Sequence, residues 1–220
     1  MSLVFEQPVP PPPGEVLRAH LARGGAKKPR RPLRDALVWS LGAATVAVAL
    51  IAHFGVRPDV VGVDLRWLTL AWALVAVGGA VATILPRAGQ VLPSVSRARV
   101  VTIASVALLA LVTALLFRDS ALSVHYSGVA ELRGIVHCDG LGVLMAAPLV
   151  GLAWALVIRR VPVSAPVLGA AMGAAAGAVS GLVLNTICAV GGRTHALVGH
   201  VGVVVLGALL GALSSRFSRR

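Results

Sequence analysis

Six stretches of roughly twenty residues each are almost free of charge, with polar segments between them: 36–54, 67–85, 100–117, 140–158, 165–189 and 196–213. A hydrocarbon layer about 30 Å thick is crossed by about 20 apolar residues in helical form. Within that layer every backbone N–H and C=O needs a partner inside the protein, which leaves only helices and closed barrels. Unbroken apolar runs of this length, without alternation, belong to helices. The sequence therefore predicts an all-α polytopic membrane protein with six transmembrane helices. Charged residues make up 13% of the chain, about half the share in a soluble domain.

The net charge of +12 would suggest nucleic acid on a soluble protein. Its distribution argues otherwise. With the N-terminus inside, the inner segments hold most of the 20 Lys and Arg, among them Lys27, Lys28, Arg30, Arg31, Arg159 and Arg160. The positive-inside rule then predicts that both termini are cytoplasmic, and it accounts for the charge without direct nucleic-acid binding. The first apolar run begins only at residue 36 and five more follow, so it reads as a signal anchor rather than a cleaved leader. Trp39, Trp67, Trp72 and Trp154 mostly fall in or near span ends, where indole rings anchor at the interface.

Three regions follow. Residues 1–35 form a cytoplasmic tail, 36–215 the six-helix membrane domain, and 216–220 a basic cytoplasmic end. The tail holds a proline run, "PVPPPPG", then "GEVLRAHLARGG", then the basic collar "AKKPRRPLR". Val16, Leu17, His20 and Leu21 share one helical face, and Gly24-Gly25 ends the pattern. Two readings stay open: a leader whose collar touches anionic lipid, or a segment that orders as a helix on a cytoplasmic partner. There is no Walker loop, no G-x-G-x-x-G and no H-E-x-x-H. Paired acids at membrane depth are also missing, so no enzymatic activity and no small-molecule substrate are expected.

Within "LGAAMGAAAGAVSG", Gly169, Gly173, Gly177 and Gly181 recur every fourth residue, and Gly207 and Gly211 repeat the spacing in the last span. Glycines so spaced share one helix face and let a second backbone come close. The expectation is tight packing of the last helices; a pore-lining or dimer-forming face is the alternative. Asn185 and His200 are the chief strongly polar residues inside spans. A small transporter or channel built on them and the glycine face is the competing functional class, although it lacks the charged residues usual in ion-coupled transport.

The chain has two cysteines, Cys138 and Cys188. The first precedes the fourth span and the second ends the fifth. Cys138 to Ile158 is about 30 Å of helix and Ser164 to Cys188 about 36 Å, so a hairpin sets both thiols at similar depth on the outer side. His137 and Asp139 flank Cys138, while His195 and His200 enter the neighbouring sixth span; His53 and His125 lie on the same side. Cysteine with histidine is ligand chemistry for zinc, copper or cadmium. Cys138, Cys188, His137, His195 and His200 are thus candidate metal ligands. Three readings stand: a disulfide between helices, two unrelated buried thiols, or a switch in which metal or oxidant changes helix packing.

These residues carry a resemblance. One cysteine at the start of the fourth span, a second fifty residues on, and the intervening "RRVPVSAPVLGAAMGAAAGAVSGLVLNTIC" resemble the bacterial six-helix membrane anti-sigma factors of the negative-regulator-of-sigma-F (NrsF) type. The last span, "HALVGHVGVVVLGALLGALSSR", and the short tail fit as well. The family often has His directly before the second cysteine; here Ile187 stands there and His137 precedes the first. The resemblance implies a multi-pass protein of the bacterial inner membrane that holds an extracytoplasmic-function sigma factor away from RNA polymerase. It implies that Cys138 and Cys188 are the sensors, and that a metal or oxidant in the envelope triggers release in a stress response. The partners implied are that sigma factor and membrane lipid.

Overall fold

The computed structural model describes residues 31–56, 63–85, 94–117, 127–158 and 165–216. The tail residues Val16, Leu17, His20 and Leu21, and the loop residue His125, lie outside the described residues. Six helices are long and apolar enough to cross a membrane. They are α1 (Pro32–Phe54), α2 (Val63–Ile84), α3 (Val95–Leu116), α4 (Val129–Leu156), α5 (Ala165–Ile187) and α6 (Arg193–Ser214). All belong to one unit, Pro32–Arg220.

Local chemistry explains several of the helix ends. Pro32 opens α1, where a missing N–H costs nothing and the fixed φ suits a first turn. Ser94 caps α3 by accepting from the Arg97 N–H at 3.4 Å. Arg97 in turn donates through Nη1 to the Leu85 carbonyl at 3.1 Å, setting a cation at the end of α2. The fourth helix begins at Val129, well before the apolar stretch that starts at 140. Glu131, Arg133, His137 and Asp139 lower the hydropathy there, yet none of them opposes helical hydrogen bonding. Cys138 consequently lies inside α4 and not at its mouth.

The fifth helix is the axis of the bundle. In its most apolar window 83% of residues are buried within the protein, against 11–44% for the other five. Its most extensive contact is with α6, and it also touches α1 through α4. The reason is side-chain size. A methyl group on Gly169 would run into the Gly211 carbonyl, and one on Gly173 into the Gly207 carbonyl. Gly177 packs on Val203 and Val204, and Gly181 on Trp72 and the His200 carbonyl. The register runs in opposite directions on the two helices, so α5 and α6 are antiparallel along a continuous glycine seam. Where lipid gives no hydrophobic drive between helices, such close approach supplies dispersion attraction instead.

Two tryptophans correct the interface-anchor expectation. Trp39 and Trp72 are fully buried. Trp39 Nε1–H donates to the Leu149 carbonyl at 3.2 Å, and Trp72 Nε1–H to Thr113 Oγ1 at 3.3 Å. Each indole finds an acceptor on another helix, and Trp72 also packs on Gly181, which removes the need for a polar interface. Trp67 remains exposed. The outward surface is apolar, with Leu41, Leu74, Ile103, Leu115 and Leu144 all well exposed, as suits a lipid-facing bundle.

Candidate metal centre

At one end of the seam, four side chains from α4, α5 and α6 converge. Cys138 comes from α4 and is buried. Cys188 follows α5, where its N–H closes the final turn on the Leu184 carbonyl at 2.8 Å. The chain then reverses within a few residues. Gly192 at φ +108° makes this possible, a conformation side chains rarely adopt. The turn carries His195 back over Cys188.

His195 and His200 share a face for an uncommon reason. In a regular α-helix a spacing of five residues places two side chains about 140° apart. Residues Ala196–His200 form instead a turn of π-helix. The Val201 N–H reaches the Ala196 carbonyl, five residues back. The widened turn brings the two rings to 5.4 Å between centroids, at 85° to each other. Single π turns inside α-helices occur often at functional sites.

The two sulfurs are 3.6 Å apart and are not joined in a disulfide. His195 Nε2 lies 3.4 Å from Cys138 Sγ and 3.5 Å from Cys188 Sγ. One donor atom from each of Cys138, Cys188, His195 and His200 falls within 4.8 Å of all the others, so these four residues can hold a metal ion. His195 and His200 are fully buried.

The rings are also held in place. His200 Nδ1 is 2.6 Å from Asn185 Oδ1. A carbonyl oxygen only accepts, so Nδ1 is the donor in this bond. Asn185 comes from α5, so its buried amide bonds a neighbouring helix. Gly134 on α4 packs against the His195 ring, at 3.6 Å from the position a Cβ would take.

His137 does not join this group. It sits one residue before Cys138 on the same helix, about 100° round, and is exposed. It lines, with Arg133, Gly134 and Val190, a cavity of about 620 Å³ that reaches both cysteines. His53 is exposed at the end of α1 and stays outside the cluster. Asp139 is half-buried and lies against Gly202, also outside the four. The pairing of His195 with His200 has no regular sequence signature, because their spacing fits neither helix nor strand.

Compared with known proteins, residues 21–220 match the family described as negative regulator of sigma F. None of the curated proteins and none of the solved structures matches the chain.

Proposed function

We propose, since the chain belongs to the negative-regulator-of-sigma-F family, that it is a membrane-bound anti-sigma factor which holds an extracytoplasmic-function sigma factor at the bacterial inner membrane. The family match over nearly the whole chain carries this reading. Both termini face the cytoplasm. The tail, with Val16, Leu17, His20 and Leu21 on one face, contacts the sigma factor. Cys138 and Cys188 face the envelope and receive a metal or an oxidant.

The mechanism is a coupled repacking. Chemistry at the two thiols alters how α4, α5 and α6 pack, and the glycine seam offers a close-packed surface along which they shift. The seam starts at the site, where the His200 carbonyl meets Gly181, and ends where Gly169 meets Gly211. The site and the far end of the bundle are thereby parts of one interface. A hundredfold change in sigma affinity needs about 2.7 kcal/mol of coupling, a small part of what thiolate–metal binding releases.

Co-purification tests the reading. The full-length protein is tagged and extracted from membranes beside a form lacking residues 1–31, and bound sigma factor is identified by mass spectrometry. Recovery with the full chain and loss on truncation is the expected result. No sigma factor with either form would overturn it.

A further inference from the structure

We infer that Cys138, Cys188, His195 and His200 form a closed, four-coordinate site that holds one divalent thiophilic ion of the zinc class in the resting protein. This deepens the sensor reading above and rests on it for its effect on sigma release, though the binding of the ion does not depend on any partner.

The distances carry the inference. A tetrahedral zinc centre has thiolates at about 2.3 Å and imidazole nitrogens at about 2.05 Å, which sets sulfurs about 3.8 Å apart and sulfur to nitrogen about 3.6 Å. The protein has 3.6 Å between sulfurs and 3.4 and 3.5 Å from them to His195 Nε2. Three edges of the tetrahedron are therefore within about 0.2 Å of their loaded length. His200 supplies the fourth corner, within 4.8 Å of the rest.

Three further features favour the ion. The first is charge. Binding displaces one proton from each thiol to the aqueous side, and the ion with two thiolates and two neutral imidazoles has no net charge. Burial at the edge of a membrane then avoids the penalty of an isolated ion. The second is orientation. Metal-bound histidines characteristically donate their other N–H to a carbonyl or carboxylate, and Asn185 accepts from His200 in that manner. The third is access, since the cavity bounded by Arg133, Gly134 and His137 opens onto both sulfurs. A site with four protein ligands leaves no open position for a substrate. It is built to hold an ion, and to lose it when a thiolate is oxidised or a softer ion competes.

The π turn makes the site informative to the rest of the chain. It keeps His195 and His200 on one face. An ion bound to both rings pins that turn, and its loss frees the turn to relax toward α-helix.

Cobalt(II) is the probe. Full-length protein in detergent is stripped with chelator, reduced and titrated with cobalt(II) alone. Expected are about one ion per chain, intense visible bands of tetrahedral cobalt, and near-ultraviolet thiolate-to-metal charge transfer. Zinc should displace the cobalt. The His195→Ala, His200→Ala double variant should keep its helical circular dichroism and lose the tetrahedral bands. An unaltered spectrum in that variant would overturn the four-ligand site, as would weak octahedral bands in the wild type. No sigma factor is present in this titration. Its failure therefore leaves the anti-sigma reading standing, and failed co-purification leaves the metal site standing.

Discussion

Gly173 has no space for even a methyl group, because the Gly207 carbonyl occupies it. Gly78, on the lipid side of α2, has nothing within 4 Å of the same position. The two make a matched pair. Gly173→Ala should cost roughly 1–3 kcal/mol through overpacking, whereas Gly78→Ala should be neutral or slightly stabilising because alanine is the better helix former. Thermal unfolding of both variants in the same detergent checks this. Equal midpoints would mean that the seam does not hold the bundle together. Asn185 acts at the same scale through its bond to His200. Asn185→Ala should weaken metal binding about ten- to a hundredfold while leaving the thiol count unchanged, measured by competition with a chromogenic chelator.

At the level of elements, α4, the α5–α6 turn and the π turn each do one part of the assembly. Helix α4 runs past the apolar stretch and so carries Cys138 into the bundle. The Gly192 turn folds His195 onto the end of α5. The π turn then adds His200. With the two sulfurs unbridged and 3.6 Å apart, the metal-free protein should form an intramolecular disulfide readily under mild oxidant, since little backbone movement is required. Maleimide–polyethylene glycol gel shifts report this as loss of two reactive thiols without a dimer band. Added zinc should protect them. Gly192→Val should slow disulfide formation, because valine resists a φ of +108°. Part of this was legible in the chain. Two cysteines at one end of a helical hairpin follow from helix length alone, and glycines every fourth residue mark a packing face. The start of α4 was not legible, because hydropathy measures affinity for lipid and not the persistence of backbone hydrogen bonds.

For the whole molecule, the bundle separates a buried axis from an apolar exterior. Reporter fusions test its orientation. Alkaline phosphatase joined after Arg216 should be inactive and a fluorescent protein there bright, if the C-terminus is cytoplasmic. The reverse pattern would place Cys138 and Cys188 on the cytoplasmic side and end the envelope-sensor reading. With orientation settled, the Cys138→Ser, Cys188→Ser variant should hold the sigma factor but no longer release it on addition of cadmium or a thiol oxidant. Transcription from a sigma-dependent promoter gives the measurement.

The sequence by itself determined six helices of membrane-spanning length, because unbroken apolar runs in a chain with so few charges allow little else. It also determined that the last two helices could approach closely, since small residues at a spacing of four lie on one face. Tertiary structure alone decided which histidines meet the cysteines. His137 is the sequence neighbour of Cys138, yet one step along a helix turns it away; His195 and His200 are distant in sequence, yet a sharp turn and one widened helical turn bring them in. It also decided that Trp39 and Trp72 lie inside. A tryptophan near the end of a span has the same composition signature whether it faces lipid headgroups or a cleft between helices. What separates the two is the presence of a hydrogen-bond acceptor on another helix, the Leu149 carbonyl for Trp39 and Thr113 Oγ1 for Trp72, which is a property of packing.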